Sequence, residues 1–245
     1  MKFLILFAIF IILIILIRNN KNILISKNYY TIEETYPFLE NINKNRELYL
    51  KEIKNIINID NIDNSKNINW IDWVEKDLYK THNKNGDWTI FPFYGFGIWH
   101  TENCSLCPEL TKFIKSIPNL KIALLSRMGP NTILTEHQGW SHHSNYVLRC
   151  HFGFIIPDNC FISVGYYDDK KNIKREVKNY KENEWIIFDD SRFHYTGNKS
   201  YKDRIVLILD IDRPAGAAKG VADKGETKEL IDLINSMKKQ FGKAI

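Results

Sequence analysis

A series of short apolar segments between residues 120 and 211 constrains the fold more than any other feature. The segments are rich in β-branched and aromatic residues, with turn-forming residues between them every 8 to 15 residues or so. The candidate strands are Lys121–Arg127, Thr132–His137, Val147–Ile156, Phe161–Tyr167, Arg175–Tyr180, Glu184–Phe188 and Arg204–Ile211. Because no helix-length segment intervenes, the pattern disfavours a parallel α/β sheet and predicts a mainly β sandwich or jelly roll.

The segments on either side of this β region have helical patterns. Apolar residues recur at helical spacing over Ile32–Ile57, and short helices are predicted over Trp70–Tyr79 and Pro108–Ser116. A closing amphipathic helix is predicted over Asp223–Phe241, with Thr227 as its candidate cap. The β domain is therefore expected to carry flanking helices.

The chain divides into three predicted parts. Residues 1–18 are a membrane anchor, residues 19–86 a tether with a helical lead-in, and residues 87–245 a jelly-roll domain that ends in the closing helix. The third part opens with Trp88–Trp99, a stretch rich in aromatic and turn residues. We interpret that stretch as packing across the domain, in preference to a wall for substrate.

The anchor prediction depends on residues 3–17, which are uninterrupted apolar residues between Lys2 and Arg18. The run is shorter than the roughly 20 residues that span a bilayer comfortably. No small-residue cleavage site follows, so an uncleaved anchor is favoured over a signal peptide. We expect a single-pass protein of the ER or another internal membrane, and the flanking charges lean only weakly toward a cytosolic C-terminal domain.

Charge and cysteine content exclude some classes of function. The formal net charge is only +5, and the lysines are scattered, so nucleic-acid binding is not expected. Cys104 and Cys107 have Cys-x-x-Cys spacing, but Cys150 and Cys160 do not provide the second closely spaced pair of a zinc site. A disulfide and free thiols both stay open for Cys104 and Cys107.

Histidines and arginines mark a candidate site within the strands. Arg149 and His151 share one face of a strand, and Gly153 leaves room beyond them. A cation and an imidazole that point into a barrel need either internal hydrogen bonds or an anionic ligand. His137 ends one candidate strand and His194 begins another, so a jelly roll could bring both onto one metal.

The usual carboxylate ligand of such a metal is missing from its expected position. In the common site of two histidines and one carboxylate, an acidic residue follows the first histidine by two positions. Here that position is Gly139, which cannot ligate. Asp189 and Asp190 could supply an oxygen, but we interpret both as turn residues, so the pattern alone leaves the metal undecided.

The motifs together resemble those of the aspartyl/asparaginyl β-hydroxylases over roughly residues 88–214. The matching residues are Ser126, His137-Gln-Gly-Trp140, Asn145, Leu148-Arg149-Cys150-His151, Pro157, Phe188-Asp-Asp-Ser191, His194, Arg204 and Asp210-Ile-Asp-Arg-Pro214. This resemblance implies a double-stranded β-helix oxygenase that uses Fe(II), 2-oxoglutarate and O2. It also implies iron bound by two histidines and no protein carboxylate, which accounts for Gly139.

The resemblance assigns roles to individual residues. His137 and His194 would be the iron ligands, and with Arg204 they are the predicted catalytic residues. Arg204 and Ser126 would bind the distal carboxylate of 2-oxoglutarate, where a guanidinium can pair in bidentate fashion. His151 would contact its iron-proximal carboxylate, and Arg149 is assigned to the co-substrate or the substrate.

The chain also departs from the family as found in animals. Its loop after His137 is longer and carries His142 and His143, which we interpret as solvated. Other sequence replaces the helical repeats that precede the catalytic domain in the animal enzymes. The leading hypothesis is hydroxylation of Asp or Asn side chains in a protein. Hydroxylation of a lipid acyl chain and a non-catalytic jelly-roll binding module are the alternatives.

Overall fold

The protein is described from a computed structural model, which covers residues 26–62, 70–80, 87–168, 170 and 172–241. The strands are β1 (Tyr29–Tyr30), β2 (Ile71–Asp72), β3 (Trp88–Gly95), β4 (Ile98–Trp99), β5 (Leu120–Met128), β6 (Thr132–Ile133), β7 (Val147–Ile155), β8 (Cys160–Tyr167), β9 (Ile173–Asn179), β10 (Trp185–Phe188), β11 (Phe193–Asn198) and β12 (Arg204–Asp212). The α-helices are α1 (Ile32–Thr35), α2 (Arg46–Ile62), α3 (Thr101–Leu106), α4 (Pro108–Lys115), α5 (Ser141–Ser144) and α6 (Lys228–Phe241), with 3-10 turns at Pro37–Asn45 and Lys76–Leu78.

Two antiparallel sheets form a jelly roll. The larger sheet has the order β1-β10-β7-β12-β5-β3-β2, with β4 paired to β3, and the smaller has the order β6-β11-β8-β9. From β5 to β12 the strands alternate between the two sheets, except that β8 and β9 pair within the smaller one, which is the order of a double-stranded β-helix. The predicted fold class, a mainly β jelly roll with flanking helices, is confirmed.

Asparagine residues form several of the tight turns that the topology needs. Asn119, Asn131, Asn159 and Asn183 all adopt positive φ, between 51° and 66°. Asparagine tolerates this left-handed conformation better than most residues because its short amide bonds to the local backbone. The turns that separate the candidate strands in the sequence are thus real turns in the structure.

Two apolar cores lie on opposite faces of the larger sheet. Between the sheets, a small cluster includes Ile162, Ile186 and Val206. On the outer face, the helices α2 and α4 contribute residues such as Ile53 and Phe113 to a larger cluster with β3, β5, β7 and β12. Because the helices supply much of the apolar burial outside the barrel, its interior can hold polar groups.

The lead-in segment packs onto the same sheet. Tyr29 and Tyr30 pair with β10, and Thr31 caps α1 in a reciprocal capping box with Glu34. Cys104 and Cys107 are free thiols. The closing helix begins at Lys228, and the Leu230 amide donates to Thr227 Oγ1 at 3.3 Å, so the predicted cap is present.

One predicted helix is wrong. Residues 70–79 form the short strand β2 and a 3-10 turn, because Ile71 pairs with Ile90 on β3. Edge pairing with β3 outweighs the weak helical spacing of this short segment. The indole of Trp73 then packs on Trp88 with ring centroids 4.9 Å apart.

The described ranges contain no helix that is long and apolar enough to cross a bilayer. The predicted anchor, residues 3–17, lies outside those ranges.

Candidate active site

His137 and His194 lie side by side at one end of the barrel. Their backbones form an isolated antiparallel bridge, with N–O distances of 3.0 Å and 2.8 Å. Their ring centroids are 4.3 Å apart. The fold thus brings the two histidines together as expected, but the predicted strand is shorter, because β6 ends at Ile133 and His137 lies in the isolated bridge beyond it.

Both imidazoles are held in the tautomer that suits a metal ligand. His137 Nδ1 lies 2.7 Å from the Thr135 carbonyl oxygen, and His194 Nδ1 lies 2.8 Å from that of Arg192. A carbonyl oxygen only accepts, so each Nδ1 carries the proton and each Nε2 presents a lone pair. Burial lowers the pKa of His137 to about 3 and that of His194 to about 4, so both rings are neutral near pH 7.

Asp190 occupies the space beside these histidines. It lies in a turn, as predicted, but its carboxylate is buried, with Oδ1 3.5 Å from His194 Nε2. A Cβ built on Gly139 would collide with this carboxylate. Glycine at 139 therefore makes room for Asp190, a role that sequence reasoning missed. Among the described residues, no group of three or more His, Cys, Asp or Glu side chains is arranged to hold a metal.

Arg149 is bound by two carboxylates at the junction of the site. It pairs with Asp210 through Nε–Oδ1 at 2.7 Å and Nη2–Oδ2 at 2.8 Å, and its Nη1 lies 2.7 Å from Asp190 Oδ1. This pairing follows from register, since Arg149 stands opposite Asp210 on β12. Each of its three nitrogens thus lies near a carboxylate oxygen, and the guanidinium places Asp190 beside the histidines.

His143 is not a solvated loop residue, which corrects the interpretation from sequence. Its Nε2 lies 2.7 Å from Asp210 Oδ2, and its side chain is largely buried. His142 is exposed, as expected, with its Nδ1 3.2 Å from a Glu226 oxygen. The loop thus contributes one histidine to the buried network around Arg149.

A polar pocket, which we call the inner pocket, lies between the sheets below the histidines. Arg204 is 1% exposed, its Nη1 donates to Thr196 Oγ1 at 2.8 Å, and its guanidinium lies 4.7 Å from the Tyr180 ring centroid. Its Nε is buried without a partner in the described part of the chain. Ser126 faces the same pocket and accepts from Trp88 Nε1 at 2.9 Å. Such unpaired buried donors call for an anionic ligand.

His151 completes the inner pocket together with Tyr180. His151 Nδ1 lies 2.7 Å from the Tyr180 hydroxyl, while its buried Nε2 has no partner among the described residues. Burial and the nearby Arg204 cation lower the pKa of His151 well below its usual range. Gly153 does not leave open space, because the Lys181 backbone fills it. Sequence reasoning assigned no role to Tyr180, and no local motif marks it.

An apolar cleft, which we call the outer cavity, opens above the histidines. Its apolar walls include Trp73, Trp88, Ile90, Tyr94, Leu124, Trp140, Leu230 and Leu233. It reaches His137, Arg149 and Asp190, and it meets the inner pocket at His137 and Arg149. The site therefore has a polar half and an apolar half that share the histidine end.

The aromatic stretch that begins at residue 88 both packs in the core and lines the outer cavity. In β3, Phe91 and Phe93 point into the main core, whereas Trp88, Ile90 and Tyr94 line the outer cavity. Alternation along a strand places these two sets on opposite faces. Packing, which the sequence analysis favoured over a substrate wall, accounts for only one of the two faces.

A jelly roll with two paired imidazoles and a buried arginine defines an oxygenase-type site. Residues 51–214 match the sequence profile of the Aspartyl/Asparaginyl beta-hydroxylase family. The chain therefore belongs to the aspartyl/asparaginyl β-hydroxylase family. The resemblance drawn from the motifs is confirmed.

Similar proteins differ in the substrates that their names state. The chain is 32% identical over 137 residues to an ornithine lipid ester-linked acyl 2-hydroxylase of Rhizobium tropici, covering 55% of this chain and 45% of that protein. It is 28% identical over 143 residues to aspartate beta-hydroxylase domain-containing protein 2 of Homo sapiens, covering 55% and 36%. The chain thus spans less than half the length of these relatives.

Among solved structures, the fold is similar to an oxidoreductase of the 2OG-Fe(II) oxygenase family from Burkholderia pseudomallei. The TM-score is 0.40 at 10% identity, covering 60% of this chain and 76% of that one.

Proposed function

We propose that the protein is a dioxygenase that depends on Fe(II) and 2-oxoglutarate, with His137 and His194 as its protein iron ligands. The observation that carries this proposal is the pair of neutral imidazoles whose Nε2 atoms stand at the mouth of the inner pocket. When bound, iron, 2-oxoglutarate and O2 supply oxidative decarboxylation to succinate and CO2, coupled to hydroxylation of an unactivated carbon.

The inner pocket fits the co-substrate by charge and by unpaired donors. Arg204 and Ser126 would hold the distal carboxylate of 2-oxoglutarate, because the Arg204 Nε is buried without a partner. The His151 Nε2 would donate to the proximal carboxylate. Arg149 is assigned to positioning Asp190, since its Nη1 lies 2.7 Å from Asp190 Oδ1 while its Nε and Nη2 bind Asp210.

For the substrate, the outer cavity favours an apolar chain. Its walls are mostly aromatic and aliphatic side chains, so an acyl chain would be stabilised there by burial of apolar surface. The relative named as an acyl 2-hydroxylase supports the same class. Hydroxylation of Asp or Asn in a protein is the second candidate, supported by the family profile.

Membrane association fits the first candidate. We propose that residues 3–17 anchor the enzyme in an internal membrane, where an acyl substrate would be at hand. Cell fractionation of the full chain and of a variant lacking residues 1–18 tests this. Recovery of the full chain in the soluble fraction would contradict the proposal.

Succinate formation tests the oxygenase proposal directly. The full-length protein is incubated aerobically with Fe(II) and 2-oxoglutarate, with an acyl lipid or an Asp/Asn peptide added. Succinate should form in the wild type and rise most with the lipid, and none should form in His194→Ala. An added oxygen in the recovered lipid or peptide, read by mass spectrometry, distinguishes the two substrates. Absence of both succinate and 2-oxoglutarate binding in the wild type would refute the proposal.

A further inference from the structure

A carboxylate stands in the wall of the otherwise apolar outer cavity. Glu75 lines this cavity, and two indoles hold its oxygens: Trp73 Nε1 lies 3.3 Å from Oε2, and Trp140 Nε1 lies 3.3 Å from Oε1. The Trp73 and Trp140 rings stack with centroids 5.8 Å apart and planes at 20°. The three side chains therefore form one fixed unit, which we call the indole–carboxylate cage.

The other charged side chains of the outer cavity lie close to one another. Arg149 and Asp190 also line it, but they bind each other at 2.7 Å. Among the described residues, no cation forms an ion pair with Glu75, and the side-chain hydrogen bonds to its carboxylate come from the two indole N–H groups. The cage thus places one carboxylate without an ion pair in a wall that is otherwise mostly aromatic and aliphatic.

A charge in such a place has a preferred partner. Exposing a carboxylate to apolar surroundings costs free energy unless an opposite charge satisfies it. Indole faces attract cations as well, so two stacked indoles beside a carboxylate favour an ammonium group on two grounds. The same charge repels a substrate carboxylate, so the cage also disfavours an anionic group.

We propose that Trp73, Glu75 and Trp140 bind a cationic ammonium group of the substrate, while its apolar chain extends along the outer cavity toward His137. The substrate class is then an amine-bearing amphiphile. This inference rests on the proposed function, because it names the substrate of the same site. Partial exposure of Trp73 and Glu75 gives a head group access from solvent.

Binding of three decyl compounds tests the cage without iron or 2-oxoglutarate. Metal-free full-length protein is titrated calorimetrically with decyltrimethylammonium, decanol and decanoate, each below its micellar concentration. The cation should bind tighter than decanoate by about tenfold or more, with decanol between them.

Variants separate the charge from the apolar wall. Glu75→Gln should lower affinity for the cation to that for decanol and leave decanol unchanged, while Glu75→Asp should keep part of the preference. Glu102→Gln removes an exposed carboxylate elsewhere and should change nothing. Circular dichroism establishes that each variant is folded. Trp140→Phe tests the cage through a second residue and should weaken binding of the cation only.

Several outcomes would overturn the proposal. One is wild-type protein that binds decanol or decanoate as tightly as the cation. Another is a preference for the cation that is unchanged in Glu75→Gln. A lysine peptide without an alkyl chain that binds equally well would refute the amphiphile. Intact cation preference without succinate formation would refute the oxygenase proposal alone, and succinate formation without cation preference would refute the cage alone.

Discussion

The inner pocket and the outer cavity meet at the same histidine pair but are built differently. The inner pocket presents Arg204, His151 and Ser126 from the central strands β12, β7 and β5, whose backbones are paired on both sides. The outer cavity takes most of its walls from β3, the segment after β2, the loop that carries Trp140, and the helix α6, and Leu124 of β5 and Ile208 of β12 also line it. Central strands paired on both sides therefore position the groups proposed to bind the co-substrate, whereas peripheral elements shape most of the space proposed for the substrate.

Because of this difference, substrate specificity can change in the outer cavity without loss of the reaction chemistry. A side chain on a central strand is fixed by neighbours on both sides and tolerates little. Residues at the cavity rim, such as Leu233 on α6, can vary while the histidine pair and the arginine stay in place. Substitutions in each region can test this division between the central strands and the cavity rim.

The largest effect is expected where the two regions meet. In His194→Ala, one of the two proposed protein ligands is lost, so iron content and succinate formation should both fall to background. Metal analysis and succinate measurement check this. The matched control is His142→Ala, which removes an exposed imidazole five residues after His137. Equal loss in the control would remove the distinction between these histidines.

The next effect belongs to the inner pocket alone. Arg204→Lys keeps the charge but loses the planar fork, so the half-saturating 2-oxoglutarate concentration should rise about 10- to 100-fold. Iron content should be unchanged, as read by metal analysis. Arg127→Lys, on the neighbouring strand β5, serves as control. Parallel loss of iron in Arg204→Lys would show that its role is wrongly assigned.

A filling substitution should affect the outer cavity alone. Leu233→Trp narrows the cavity, so turnover of a long acyl substrate should fall about tenfold or more. Affinity for 2-oxoglutarate, measured by calorimetry, should stay within twofold or so, since the inner pocket is untouched. A comparable change in 2-oxoglutarate binding would contradict the independence of the inner pocket and the outer cavity, because the two regions would then be coupled.

A smaller effect is expected at Tyr180. Loss of its hydroxyl in Tyr180→Phe removes the 2.7 Å hydrogen bond to His151 Nδ1, which orients the imidazole toward the co-substrate. The 2-oxoglutarate requirement should rise by a few-fold to about tenfold, with the maximal rate largely retained. Tyr166→Phe, on an exposed ring, is the control. A fall in rate alone would argue against a positioning role.

The smallest effect concerns the buried ion pair of Arg149 and Asp210. Burial acts to raise the pKa of Asp210, but the Arg149 cation and its hydrogen bonds hold that pKa well below its usual range. A depressed carboxyl pKa contributes stability above the unfolded value of about 3.9 and loses it as pH falls toward the folded value. The free energy of unfolding in urea should therefore drop below about pH 4, less steeply in Asp210→Asn. Equal slopes would contradict this.

Much of the catalytic end could be predicted from sequence because the cues are local. Strand periodicity indicated the jelly roll, and the spacing of His137, His194 and Arg204 marked the family. The strand Trp88–Gly95 was harder, because aromatic and turn residues mask its alternation. Its Phe91 face and its Trp88 face could be told apart only once β5 was paired beside it.

The sequence alone was enough to propose which residues bear the chemistry: two histidines, one arginine and a glycine where a carboxylate was expected. Only the tertiary structure decided what surrounds them. Asp190 fills the space that Gly139 leaves, His143 joins Asp210, and Glu75 meets Trp140 across 65 positions. Such contacts depend on how strands and loops are brought together in space, and no local pattern records that.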